Sequence, residues 1–292
     1  LKKWIFLGLA VGLILVAVFY WRDEKNLVVS SPATTRSSVN HEPKQIHLLN
    51  VPMAREDGGN ITVPPGMNKV DFQVREGLAV SFGDVILGTP DDPEVKNGFT
   101  LIPAPELWEP PEIPYAISAD LPNPQRVQKA IDYLNGLRTA VVFVPYENQA
   151  DALIFERGKD LCLSGLGKTS GLQPIKLGDS CGWAETLHEI MHSLGFIHEQ
   201  SRPDRDAYVQ INWTNIDEDN WPQFKKVSDG LAVADRGSRF DYQSLMLYPA
   251  GLFAKDASQV AMQSKTEVTI APTRTGLSSG DIARLLQLYP PR

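Results

Sequence analysis

The sequence predicts an α+β fold, with helices and strands in separate stretches and not in strict alternation. Two observations carry this. An apolar stripe at helical spacing follows Asn123-Pro124, and two β-rich runs come directly after it. A further helix is announced only near the C-terminus, so no repeating strand–helix–strand unit forms.

In the first helix Val127, Ala130, Ile131, Leu134 and Leu137 share one face. The strands are TAVVFVPY and DALIFERG, each bounded by turn-forming residues. At the C-terminus Ser278 with Asp281 three positions later forms a capping-box pattern, opening a helix through Ile282, Leu285 and Leu286. From about residue 99 to the end the pattern is regular, without internal repeats.

The N-terminal third reads differently. Lys2 and Lys3 precede an uncharged run from Trp4 to Trp21. As a helix that run spans about 27 Å, enough for a bilayer core. Residues 1–22 are therefore expected to be a signal-anchor, with a cleaved signal peptide as the alternative. Phe19, Tyr20 and Trp21 suit an interface, and the lysines place the rest of the chain outside the cytoplasm. Residues 23–45, rich in Ser, Thr and Pro, read as a flexible stalk. Residues 46–98 mix short apolar runs such as AVSFGDVILG with Gly, Pro and Asp, too loop-rich for an independent domain.

Of the 292 residues 42% are hydrophobic and 22% charged, the balance of a globular protein, and the net charge of −7 argues against a nucleic-acid partner. Cys162 and Cys181 are the only cysteines: a disulfide in an exported chain, free thiols in a cytosolic one.

The chemistry is concentrated in TLHEIMHSLGFIHEQSRPDRD. His188 and His192 are four apart, so both imidazoles leave one helical face, with Glu189 beside them placed to act on a water. Gly195 permits the positive φ that ends the helix and returns His198 as a third ligand. Three neutral imidazoles around one Zn²⁺ leave an open position and lower the pKa of a water toward ~7. Any one of these histidines alone reads as a hydrogen-bonded core residue. H-E-x-x-H alone arises by chance in about one chain per hundred, and the added Gly and His lower that about a thousandfold. The other two histidines, His41 and His47, fall in or beside the stalk.

H-E-x-x-H-x-x-G-x-x-H is the metzincin signature, and its continuation HEQSRPDRDAYVQIN resembles the astacin family of metallopeptidases. So do FDYQSLMLY at 240–248, WEPPEIPY at 108–115, CLSGLGKTSGLQPIKL from 162 and GLSSGDIARLLQLY near the end. The resemblance covers nearly all of 99–292. It implies a two-lobed catalytic domain there, with a mixed sheet and an active-site helix, behind a propeptide at 46–98. It implies a zinc-dependent endopeptidase, made as a latent precursor, acting on protein or peptide substrates and touching membrane only through the N-terminal segment.

By the same resemblance Met246 is the methionine beneath the metal and Tyr248 a ligand that swings away to stabilise the oxyanion. Glu199 is a buried carboxylate that meets the new N-terminus after activation. Cys162 and Cys181 are one of the family's two disulfides. The second is missing: Ala140 stands where a Cys is expected. Leu247 replaces the family's usual His. Ser81-Phe82-Gly83-Asp84 keeps the Gly-Asp of the F-x-G-D latency motif with the Phe shifted by one, which makes Asp84 a latency-ligand candidate or else a turn residue. Lys96, the only basic residue between Arg75 and Arg126, marks a place for activating cleavage by a trypsin-like enzyme, self-processing being the alternative. Arg274 is a candidate cation for an acidic residue after the cut, or an exposed loop arginine. The competing functions are a catalytically dead binding module, disfavoured because Glu189 and all three ligands are kept, and a zinc amidase or esterase.

Overall fold

The apolar runs after Pro124 do become a sheet with helices packed on it. The strands are β5 (Glu112–Ile117), β6 (Val142–Pro145), β7 (Ala152–Arg157), β8 (Cys162–Gly165) and β9 (Leu172–Leu177). β6, β5, β7 and β9 are mutually parallel, and β8 returns antiparallel along β9. Helices α1 (Gln125–Gly136) and α2 (Trp183–Ser193) share the main core with them, through residues such as Val127, Ile131, Leu153, Phe155, Leu187 and Ile190. Removing such side chains from water contributes about 1.5–3 kcal/mol each. The structure, a computed structural model, describes residues 63–90, 97–109 and 112–291.

The run TAVVFVPY yields a shorter strand than expected. β6 starts only at Val142, opposite Glu112 where β5 begins, and the Ala140 N–H donates instead to the Tyr289 carbonyl at 3.3 Å. That bond ties the C-terminus to the position where the resemblance led one to expect a disulfide. α3 (Ser279–Leu288) opens with the predicted capping box: the Ser278 side chain accepts from the Asp281 N–H, and the Asp281 carboxylate accepts from the Ser278 N–H.

The N-terminal part of the described chain extends this same sheet. β1 (Met67–Arg75), β2 (Leu78–Ser81), β3 (Val85–Gly88) and β4 (Asn97–Pro103) bring it to nine strands in the order β4-β1-β2-β3-β8-β9-β7-β5-β6. β3 joins the edge of β8 in parallel, Val85 opposite Ser164 and Ile86 opposite Gly165. β1 pairs antiparallel with β4 from Met67↔Pro103 to Gln73↔Asn97. The boundary expected between 98 and 99 falls inside β4. Val70, Phe72, Phe82 and Val85 bury against Ile197 and Leu231, so the two parts have one core.

From Glu199 to Leu277 the chain turns through short 3-10 segments, with one small sheet of β10 (Val209–Ile211) and β11 (Met262–Ser264). Sequence periodicity promised more regular structure here. Side chains hold the backbone instead: Asn215 donates to the Asp256 and Gln259 carbonyls and accepts from the Asp256 N–H. Phe224, Tyr242, Leu247 and Met262 form a separate apolar cluster within this region.

The expected signal-anchor at 1–22 and stalk at 23–45 lie outside the described residues. Among the described residues no helix is long and apolar enough to cross a membrane.

Candidate metal centre and active-site cleft

α2 carries His188 and His192 on one buried face, and the chain after it is turned by Gly195 at φ +97°. The Gly195 N–H donates to His192 O at 2.9 Å, and the Phe196 N–H donates to Met191 O at 3.1 Å. The positive φ is what requires glycine at 195; a Cβ there would also press on the movable Leu107 Cδ2 at 2.8 Å. The turn returns His198, whose Nε2 lies 3.0 Å from the Nε2 of His188. All three rings are buried, with centroids 4.7–5.0 Å apart.

Asp84, at the start of β3, completes the cluster. Its carboxylate oxygens stand 3.5 Å from His188 Nε2, 3.1 Å from His192 Nε2 and 3.2 Å from His198 Nε2. The four ligand atoms lie within 4.8 Å of one another. Burial alone would raise the Asp84 carboxyl, but the three histidines hold it well below the ordinary value.

The donor set fits a divalent cation, on three grounds. His188 Nδ1 is 3.1 Å from the Leu245 carbonyl and His192 Nδ1 is 2.7 Å from that of Phe196. Those bonds place the ring proton on Nδ1 and leave a lone pair on each Nε2, aimed inward. The His198 Nε2 lies 3.0 Å from the His188 lone pair, so the three ring nitrogens converge on one point. His192 Nε2 and Asp84 Oδ1 are buried without a hydrogen-bond partner despite their proximity. Imidazole nitrogens with one carboxylate oxygen are a zinc donor set.

Glu189 is buried with Oε2 unpartnered, and its carboxyl is pushed well up by burial and then by the charges of Asp84 and Glu185. The Tyr248 ring lies 4.8 Å from that of His198. Its hydroxyl donates to Gln223 Oε1 at 3.0 Å and lies 3.4 Å from the Phe82 carbonyl. Burial, then Asp84 and Glu189, raise the phenol well above its usual range. Gly83, at φ +106°, threads between these groups: a Cβ there would overlap Gln223 and the Tyr248 hydroxyl.

Met246 is fully buried beside Ile190, Met191 and Leu245 in the main core. Arg274 is exposed and lines a cavity of about 620 Å³ together with His188, Glu189, Tyr248 and Phe253. Cys162 and Cys181 form a disulfide of 2.04 Å, which removes the free-thiol alternative.

Glu199, fully buried, meets Arg284 Nη1 at 2.7 Å and Arg202 Nη1 at 3.3 Å, and accepts the Asp241 N–H. Burial raises its carboxyl to about 8, against the pull of Arg284, with Asp235 adding to the rise. Sequence reasoning missed Arg284, Gln223 and the carbonyls of Leu245 and Phe196. No local pattern marks any of them.

Residues 102–290 match the profile of the Astacin peptidase family. The chain is 36% identical over 185 residues to zinc metalloproteinase nas-13 of Caenorhabditis elegans, covering 62% of this chain and 40% of that protein. It is 32% identical over 250 residues to meprin A subunit alpha of Mus musculus, covering 83% of this chain and 31% of that protein. The chain thus spans less than two thirds of the length of either relative. Among solved structures, the hatching enzyme zinc-protease high choriolytic enzyme 1 of Oryzias latipes superposes with a TM-score of 0.58 at 30% identity, covering 64% of this chain and 95% of that one. With a family profile matched over residues 102–290, the chain belongs to the astacin family of metallopeptidases.

Proposed function

We propose that this chain is a zinc-dependent endopeptidase made as a latent precursor, with Asp84 seated among the three histidine ligands until the N-terminal segment is removed. The observation that carries the reading is the convergence of three buried Nε2 atoms and one carboxylate within 4.8 Å. His188, His192 and His198 would hold the zinc, and Asp84 would take the position that water needs. When bound, the zinc supplies Lewis acidity, acidifying the water and polarising the scissile carbonyl.

The protein's own groups do the rest. The carbonyls of Leu245 and Phe196 keep two imidazoles in the ligating tautomer. Glu189, desolvated with its carboxyl raised well above the ordinary value, takes the proton of the attacking water and passes it to the leaving amine. Tyr248, released from Gln223 and from the Phe82 carbonyl, donates to the developing oxyanion. No side-chain nucleophile is used, so no acyl-enzyme forms. Arg274 on the cavity wall attracts an acidic residue next to the cut. The disulfide agrees with an oxidising compartment outside the cytoplasm, reached by way of the segment at 4–21.

The test is cleavage of a quenched peptide library by the chain after limited trypsin treatment, with and without a zinc chelator. Chelator-sensitive hydrolysis is expected. Full zinc binding without hydrolysis would favour a dead binding module, and cleavage of small amides alone an amidase. Asp84→Ala should give the uncut chain measurable activity; a variant as silent as the parent removes Asp84 from latency.

A further inference from the structure

The turn between β1 and β2 reaches across to the loop after β7 through Glu76. Its carboxylate accepts three consecutive backbone N–H groups, from Lys159 at 3.0 Å, Asp160 at 2.8 Å and Leu161 at 3.1 Å. Partial burial alone would raise this carboxyl, yet the three donors and the charge of Lys176 hold it below its ordinary value. Successive amides aimed at one point make an anion-binding concavity.

That concavity is built by the loop's own neighbours and not by Glu76. The Gly158 N–H donates to Leu177 O at 3.1 Å, and the Gly178 N–H donates to Leu161 O at 2.9 Å. Neither glycine has room for a side chain: a Cβ would lie 2.8 Å from Leu161 O at the first and 2.7 Å from the Asp160 carbonyl carbon at the second. The next residue, Cys162, is bonded to Cys181. The amides therefore keep their direction when the carboxylate leaves.

Their position gives them a use. Leu161 and Cys162 line the same cavity as His188 and Glu189. Cys162 also begins β8, the strand whose outer edge β3 covers. A polypeptide that replaces β3 on that edge passes the three N–H groups.

We propose that the amides of residues 159–161 form a carboxylate subsite for the polypeptide substrate, filled by Glu76 in the uncut chain. The ligand is the side chain of an Asp or Glu some residues from the scissile bond, separate from the one facing Arg274. Three N–H groups held in one direction at the surface favour a carboxylate, which satisfies all three at once with charge-assisted bonds. The inference rests on the latency reading, since Glu76 must depart with its segment.

The experiment uses the full chain after limited trypsin treatment and C-terminally amidated peptides that differ only by Glu or Gln at successive positions around the cut. At one position removed from the cut, Glu is expected to raise kcat/KM about tenfold or more. That ratio should persist in Arg274→Ala and fall toward one in Asp160→Pro, which deletes one donor. In the trypsin-treated Glu189→Gln protein, the Glu peptide should also shift the amide resonances of 159–161 more than the Gln peptide does. An Arg274→Ala enzyme with no Glu preference at any position, or resonances that both peptides leave unmoved, would overturn the subsite. A chain that cleaves the Gln peptide equally fast before and after trypsin would overturn the latency reading itself, and this is measured before the peptides are compared.

Discussion

Two clusters of buried polar groups adjoin in this chain, and they handle burial in opposite ways. Around Glu199 each carboxylate meets a guanidinium: Arg284 contacts Glu199 at 2.7 Å, Asp235 at 2.6 Å and Asp281 at 2.7 Å, and Arg202 adds to Glu199 at 3.3 Å. Around His198, one residue earlier, His192 Nε2, His198 Nδ1 and Glu189 Oε2 have no hydrogen-bond partner. The first cluster compensates its own charges and acts as scaffold. The second brings three ring nitrogens and one carboxylate to a point that a cation would fill. Opposite charges in contact mark the scaffold, although Asp235 Oδ2 and Arg284 Nε are unpartnered there too, and ring nitrogens converging on one point mark the site.

The strongest way to break this contrast is to act within each cluster. Glu189→Gln removes the base and leaves the ligands, so zinc content should stay at one per chain while turnover falls by about 10²–10⁴-fold. Retained turnover would strip Glu189 of its role. In the other cluster, Arg284→Met leaves Glu199 and Asp235 to Arg202 alone and Asp281 without a guanidinium. It should lower unfolding stability by about 3–5 kcal/mol in a denaturant titration. A loss below about 1 kcal/mol would mean that the network is not what holds the scaffold.

A subtler test exploits a hydrogen-bonded link between them. The Asp281 carboxylate accepts the Leu245 N–H at 2.8 Å and the Ser244 hydroxyl at 2.6 Å. The Leu245 carbonyl is in turn the partner of His188 Nδ1. Asp281→Asn should therefore weaken zinc binding about 10–100-fold, as measured by competition with a chelator, without touching a ligand. Unchanged affinity would show that the two clusters are independent.

The smallest expected effect lies at the rim. Glu76 is held below its ordinary 4.5, so its stabilising contribution is present above pH 4.5 and is lost as the pH falls through the lower folded value. Glu76→Gln should lower stability slightly near neutrality and flatten the acid limb, so that the two proteins converge as the pH falls through that window. A parallel downward shift at all pH values would point to packing and not to charge.

What could be read from the sequence follows the range of each interaction. His188, Glu189, His192, Gly195 and His198 span eleven positions, and helix geometry plus one glycine turn fix their relation. The Ser278–Asp281 cap was legible for the same reason, being a local contact. Its second task, holding the 244–245 turn, was not, because it joins residues 36 and 37 positions apart. Gln223 escaped notice because it sits in a 3-10 segment where no apolar period exists. Asp84 lies over a hundred positions from the histidines, and only its Gly-Asp context, through family resemblance, singled it out.

The pairing of β1 with β4 has a consequence for timing. β4 leads into the rest of the domain, and β1 belongs to the segment carrying Asp84. A cut between 89 and 96 therefore changes the connectivity without undoing a single rung of that ladder. On the proposed latency, the severed piece would be a separate molecule still paired through β1 and β4, competing with substrate according to concentration. Switching on is then a dissociation as much as a cleavage. Freshly cut enzyme should gain activity on dilution, and lose it again when the released segment is added back.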